Sequence, residues 1–211
     1  ERLTPFHLVF DNDADYGAKF AVVDFTNGND SSATTWLYDT QNDAETAYAT
    51  ATNSYKYIWR ALAACDAAGM GGRTDPGGCT VLISGIGAIA WPGAGVGSTN
   101  LGAQNTWATI TRLSTITRAQ AIITADGSND AETQKVKFYD VTLFSASGAV
   151  GIRGDDSTVD KIWIDNCTIN LTTSGTAPIL TWKVAYATRN TVTAVTGGFT
   201  GAGGGARAPW A

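Results

Sequence analysis

Charge is scarce in this 211-residue chain. Only 16% of residues are Asp, Glu, Lys or Arg, and the balance is acidic, with a net charge of −5 and a pI near 4.7. There is no run of basic residues, which argues against a nucleic-acid partner. No apolar stretch reaches the roughly 18 residues that a membrane-crossing helix needs. His7 is the single histidine and lies far in sequence from the carboxylates, so neither a Ser-His-Asp nor a Cys-His constellation gains support. The three cysteines, Cys65, Cys79 and Cys167, lack metal-ligand spacing. Cys65 and Cys79 are close enough in sequence to tie a helix to the strand after it by a disulfide. Burial as small apolar side chains is nevertheless the reading favoured for all three. The Gly-rich stretch 197–209 lacks the Lys-Ser/Thr ending of a phosphate loop. The chain begins without Met and ends in Gly-rich sequence, as a segment of a longer protein would.

What is abundant is glycine, 24 residues of it, together with Ala, Thr, Ser and Asn. That composition suits short strands joined by many turns and argues against a helical bundle. The length is enough for one domain with a sizeable core. Two copies of one pattern organise it. Val136-Lys-Phe-Tyr-Asp-Val-Thr-Leu143 and Ile162-Trp-Ile-Asp-Asn-Cys-Thr-Ile169 lie 26 residues apart. Each alternates apolar and polar positions, which is strand periodicity. In each, Asp140 or Asn166 interrupts the alternation, and such residues enter the left-handed backbone region with little strain. A strand-bend-strand unit repeating every few tens of residues indicates a solenoid. Phe138, Val141, Ile164 and Cys167 are expected to share one core, with Phe138 stacked on Ile164.

The repeated pattern resembles the right-handed parallel β-helix of pectate lyases, polygalacturonases and many phage tailspikes. Ile162-Trp-Ile-Asp-Asn-Cys167 is close to the pectate lyase segment V/I-W-I-D-H-C, departing at Asn166 where that family has His. A second likeness lies upstream. In many secreted and phage β-helix proteins an opening strand runs into a G-N-D-S turn, then a loop, an amphipathic helix and a strand of the form T-V-x-V/I-x-x-G. Here Lys19–Phe25, Asn27–Ser32, Ser54–Ala68 and Thr80–Gly85 supply those parts in order. The helix has Ser54 as its N-cap and Gly69 as its stop. The resemblance implies an all-β, right-handed, single-stranded parallel β-helix with an N-terminal capping helix that covers the open end of the coil. One domain is expected over 1–211. It has a cap region at 1–85, solenoid turns at 106–195 and a Gly-rich tail at 196–211. Residues 86–104 read as a loop leaving the solenoid. Thr106–Thr111, Ala119–Thr124, Leu180–Val184 and Asn190–Val195 read as further strands, and Val150–Arg153 as a strand on a third side.

Glycan-active β-helix families use carboxylates, often with Ca²⁺ and an Arg or Lys base, and two carboxyls flanking a glycosidic bond can act as acid and base. Asp155, Asp156 and Asp165, with Arg153, are the catalytic candidates, and Asp160 and Lys161 lie nearby. Gly154-Asp-Asp156 is similar to the G-D-D motif of polygalacturonases, but the N-T-D, G-H and R-I-K segments of that family are absent. The D-G that pectate lyases carry after W-I-D-H-C is also missing from Thr172–Pro178. An exposed loop between turns is the competing account of Asp155 and Asp156. Trp91, Trp107 and Trp163 are the candidate sugar-stacking residues, and Trp36 also lies beside a predicted strand. Trp163 alternates with Ile162 and Ile164 and is expected to point outward, where it can bind a glycan or, as readily, pack under a loop or a neighbouring subunit. Asp11, Asp13 and Asp15 alternate before Gly17 and are the candidate Ca²⁺ ligands. EF-hand positions six and twelve hold Tyr16 and Val22, so a polar turn is the simpler account.

These readings imply an extracellular, cell-surface or virion-associated protein that binds or cleaves polysaccharide, with a homotrimer or a fibre neighbour as the protein partner. The alternative is a non-catalytic structural or adhesive segment of a fibre, spike or surface layer. A β-sandwich binding module is a third reading.

Overall fold

The structure is a computed structural model that describes residues 19–29, 36–68, 79–88, 108–125, 131–132, 136–145, 152–154, 162–171, 179–181 and 185–194. In chain order its elements are β1 Lys19–Val23, α1 Gln41–Ala51, α2 Ile58–Ala67, β2 Cys79–Ile83, β3 Ile86–Ala88, β4 Ala108–Arg112, β5 Ile122–Ala125, β6 Ala131–Glu132, β7 Val136–Tyr139, β8 Thr142–Ser145, β9 Ile152–Gly154, β10 Ile162–Asp165, β11 Thr168–Leu171, β12 Ile179–Thr181, β13 Ala185–Thr188 and β14 Thr191–Ala194. The described part is thus mostly β, with two helices.

The strands form three sheets. The first runs β1-β2-β4-β7-β10-β13, the second β3-β5-β8-β11-β14 and the third β6-β9-β12. Every strand pairing is parallel. From β4 onward each sheet receives one strand in turn, and the chain then returns to the first. The two organising repeats are neighbours in register: Ile162 faces Val136, Ile164 faces Phe138, and Ile169 faces Leu143. Parallel pairing sets such equivalent residues about 4.8 Å apart. The third-side strand expected at 150–153 is β9 of the third sheet, where Ile152 pairs with Ala131 on one side and Ile179 on the other.

The core follows from the alternation. Ala21, Val81, Ile110, Phe138 and Ile164 form one inward column, each facing the next across the first sheet, and all are buried. Ile123, Leu143 and Ile169 form a second column in the same cluster, joined by Val141 and Cys167. The expected shared core of Phe138, Val141, Ile164 and Cys167 is therefore present. β1 is buried on both faces, the pattern of a parallel strand covered on each side. Ala21 and Val23 pack with Ile58, Ala61 and Leu62 of α2, whereas Phe20 and Val22 pack with Ala44 of α1.

The start of the first sheet is covered by two helices, where the sequence suggested one. Thr40 caps α1, its hydroxyl accepting from the Asp43 amide at 3.1 Å, and Thr52 closes it at φ 53°. The second helix starts at Ile58, later than the expected Ser54. The reason is tertiary: the Tyr55 amide donates to Val22 O (2.8 Å) and Tyr55 O accepts from the Asp24 amide (2.9 Å), so this segment extends β1's edge instead of coiling. Ser54 is buried and donates to Thr52 O rather than capping the helix. Residues 86–88, expected to open a long loop, instead form β3.

Cys65 and Cys79 are joined by a disulfide, overturning the favoured reading of three free thiols; Cys167 alone is free, and buried. The bridge ties α2 to β2 across a sequence separation of 14. Closing a loop of that size constrains the unfolded chain by about 3 kcal/mol. Reduction, or the Cys65→Ala/Cys79→Ala pair, is expected to lower the unfolding free energy by that order in a denaturant titration. An unchanged midpoint would show that the bridge does not constrain the unfolded chain.

Candidate functional site

Four of the five connections from the first sheet to the second are two residues long. They are Ser84-Gly85, Asp140-Val141, Asn166-Cys167 and Arg189-Asn190. In the last three the first residue is left-handed, with φ of 53°, 54° and 57°. The fifth, between β4 and β5, is nine residues long, 113–121. This longer connection stands beside the outer face of the second sheet. Between the two lies a groove of about 600 Å³, with Thr115, Thr117 and Arg118 on the wall and Ile122, Thr142 and Thr168 on the floor.

The wall is held from both sides. Leu113 is buried and Ile116 packs against the core. Arg112 donates through Nε to Asp140 Oδ2 (2.7 Å) and through a terminal nitrogen to Leu113 O (3.2 Å) and Ile116 O (2.5 Å). Arg118 donates through Nε to Asp140 Oδ1 (2.8 Å), and Arg118 O accepts from the Thr142 hydroxyl (2.9 Å). Asn166 adds a longer bond to Asp140 Oδ1 (3.3 Å). At the far end Glu45 of α1 accepts from the Ser114 amide at 2.9 Å and from its hydroxyl. Burial works to raise the Glu45 carboxyl, but the bonds from Ser114 and Gln41 and the Arg112 charge outweigh it and hold it below the usual range. A groove fixed this way is preformed, so a ligand need not order it. Asp140, the carboxylate lining it among the described residues, has each oxygen engaged by a guanidinium. The geometry suits binding better than acid-base chemistry.

A second cluster lies on the opposite side of the first sheet from the core. Asp165 is fully buried. It accepts from Thr188 Oγ1 (2.7 Å) and from Arg189 Nε (3.0 Å) and a terminal Arg189 nitrogen (2.7 Å), and Lys137 Nζ lies 3.6 Å away. Lys137, also fully buried, sits 4.0 Å from the Trp163 ring centroid and 5.2 Å from that of Tyr139. Burial lowers the Lys137 ammonium to about 8 against the pull of Asp165. Burial also works to raise Asp165, but Arg189, Thr188 and Lys137 hold it below its ordinary value.

Of the expected site residues, Asp165 is thus the centre of a buried ion cluster. Trp163 lies on the face away from the core, as the alternation predicts, and at 6% exposure its ring is packed rather than open to solvent, so it is not available for sugar stacking. The backbone of Arg153 lies in β9. Asp155, Asp156, Trp91, Trp107, Asp11, Asp13, Asp15 and His7 lie outside the described residues. Trp36 is half-buried and packs edge-on against Tyr55. Arg112, Arg118 and Asp140 were not singled out from the sequence as site residues; the available signal was the longer spacing between the strands around 112 and 122. No protein-family model, curated protein or solved structure matches the chain.

Proposed function

We propose that the chain is a right-handed, single-stranded parallel β-helix of the pectate lyase-like and tailspike-like kind, extracellular or virion-associated, that binds polysaccharide. The observation that carries this reading is the walled groove: its floor crosses three successive parallel strands, which suits an extended polymer. The return of the chain to each of three parallel sheets supports the β-helix, and parallel crossovers are overwhelmingly right-handed. The Cys65–Cys79 disulfide supports an oxidising compartment. No helix among the described residues is long and apolar enough to cross a membrane. Ca²⁺ at Asp11, Asp13 and Asp15 remains a proposal from the sequence.

The second reading, a non-catalytic adhesive or structural segment of a fibre or spike, is favoured by the burial of Asp165, which removes one candidate acid from solvent. Affinity electrophoresis on a polysaccharide panel, with a reducing-sugar and unsaturated-uronate assay, separates the two. Retention by at least one polymer is expected. If that polymer is also cleaved, Asp155→Asn and Asp156→Asn should lower turnover by about 10²–10⁴ while retention persists. Retention without cleavage selects the adhesive reading. Retention by none overturns the carbohydrate reading.

A further inference from the structure

We infer that the polymer taken by this groove is an uncharged glycan, and that its contact surface continues from the groove along the outer face of the second sheet to Thr191 and Thr193. The inference rests on the carbohydrate reading above and names its substrate class and surface. Strand register fixes the face. Ile122, Thr142, Thr168 and Thr191 form one outward row, and Thr124, Phe144, Asn170 and Thr193 the other. The residues between them, Ile123, Leu143 and Ile169, are buried in the core, so the two rows must face away from it. No position in either row carries a charge.

Among the described residues the charges at the groove are balanced, and Arg189, at the corner before Thr191, is paired with Asp165. Arg112 and Arg118 share the Asp140 carboxylate, and Glu45 lies close enough to Arg112 to feel its charge. Two guanidiniums are therefore set against two carboxylates. A polyanion would meet no net local attraction and would approach a chain whose overall charge is −5. A polycation would find no free carboxylate along the rows. Thr142 is buried, its hydroxyl donated to Arg118 O, and the rest of the two rows presents hydroxyls, an amide, methyl groups and one half-buried ring, Phe144. This mixture matches a neutral sugar, whose hydroxyl edges take hydrogen bonds and whose C–H faces lie on apolar surface. The face is half-exposed at Thr168 and Asn170 and exposed at Thr191 and Thr193, so a chain can lie along it.

Affinity electrophoresis with neutral, uronate-bearing and sulfated polymers, at low and high salt, tests this. Retention by a neutral polymer, independent of salt, is expected, because exposed charge interactions weaken as screening shortens to about 8 Å or less. Asn170→Arg and Thr193→Arg should each weaken retention at least tenfold at an unchanged melting temperature. Should Asn170→Arg misfold, the exposed Thr193→Arg decides alone. Retention only by charged polymers, lost at high salt, overturns the inference and leaves the carbohydrate reading standing. So does neutral retention that both variants keep, and so does a change of oligomeric state in Thr193→Arg, which would make the face a contact between copies. Retention by no polymer overturns the carbohydrate reading itself.

Discussion

Phe138→Ala is expected to destabilise the protein by about 3–5 kcal/mol, the range for removing a buried aromatic side chain. Phe138 is fully buried, with Ile110 on one side of it and Ile164 on the other in the inward column. Those neighbours are held by ladders of backbone hydrogen bonds at about 4.8 Å spacing, so the column cannot close over the space left behind. Val192→Ala is the matched control. Val192 continues the column of Leu143 and Ile169 but is 38% exposed, so it has less burial to lose. Urea titrations of both variants give the comparison, a stability change being a shift of midpoint at constant slope. Equal losses would show that the inward assignment of Phe138 is mistaken.

The two repeats were legible because alternation and bend coincide in them: apolar positions at Phe138 and Ile164 precede Asp140 and Asn166, residue types that tolerate positive φ. A third copy, Ala185–Ala194, pairs in register with the second; its second strand is legible at 190–195, but its first strand and the bend between them were concealed. Its left-handed residue is Arg189, which does not advertise a bend, and Ala187 occupies the position of Ile164. Asn190 stands behind that corner, accepting from the Cys167 amide (2.8 Å) and donating to Ile164 O (2.9 Å). Helix α1 was missed because it buries little, only Ala44 being fully covered, so it carries no apolar stripe; the Thr40–Asp43 cap was its one signal. The start of α2 was misplaced because pairing of Tyr55 with β1 overrides local helix preference.

The site was less legible than the fold. Alternation put Trp163 on the outer side of its strand, but alternation states only which side of a strand a residue takes. It does not say whether that side meets solvent. Lys137 shows the same point, a lysine at a position that reads as outward and yet is fully buried. The groove arises from a difference in connection length, seven residues more at 113–121 than at the neighbouring corners. That difference acquires meaning only once the strands are stacked.

Asp165→Asn is expected to cost about 3–5 kcal/mol, the cost of breaking a buried ion pair by removing one partner. The substitution preserves shape but removes the carboxylate that Arg189 and Lys137 share. Lys137→Met should cost less, because Asp165 would keep its bonds to Arg189 and Thr188 while an apolar side chain fills the space beside Trp163. The two variants also differ in pH dependence. The Asp165 carboxyl is depressed from its ordinary 3.8, so its stabilisation is present above that pH and is lost as pH falls through the folded value. The gap between the parent and Asp165→Asn should therefore narrow in acid. Lys137 is depressed from 10.5 to about 8, so between those values the unfolded chain binds the extra proton and the parent gains stability as pH rises. Lys137→Met should lack that gain. Urea titrations across both windows measure these slopes. An Asp165→Asn variant as stable as the parent at neutral pH would show that the cluster is not closed to water, and would return Asp165 to the set of residues able to meet a substrate.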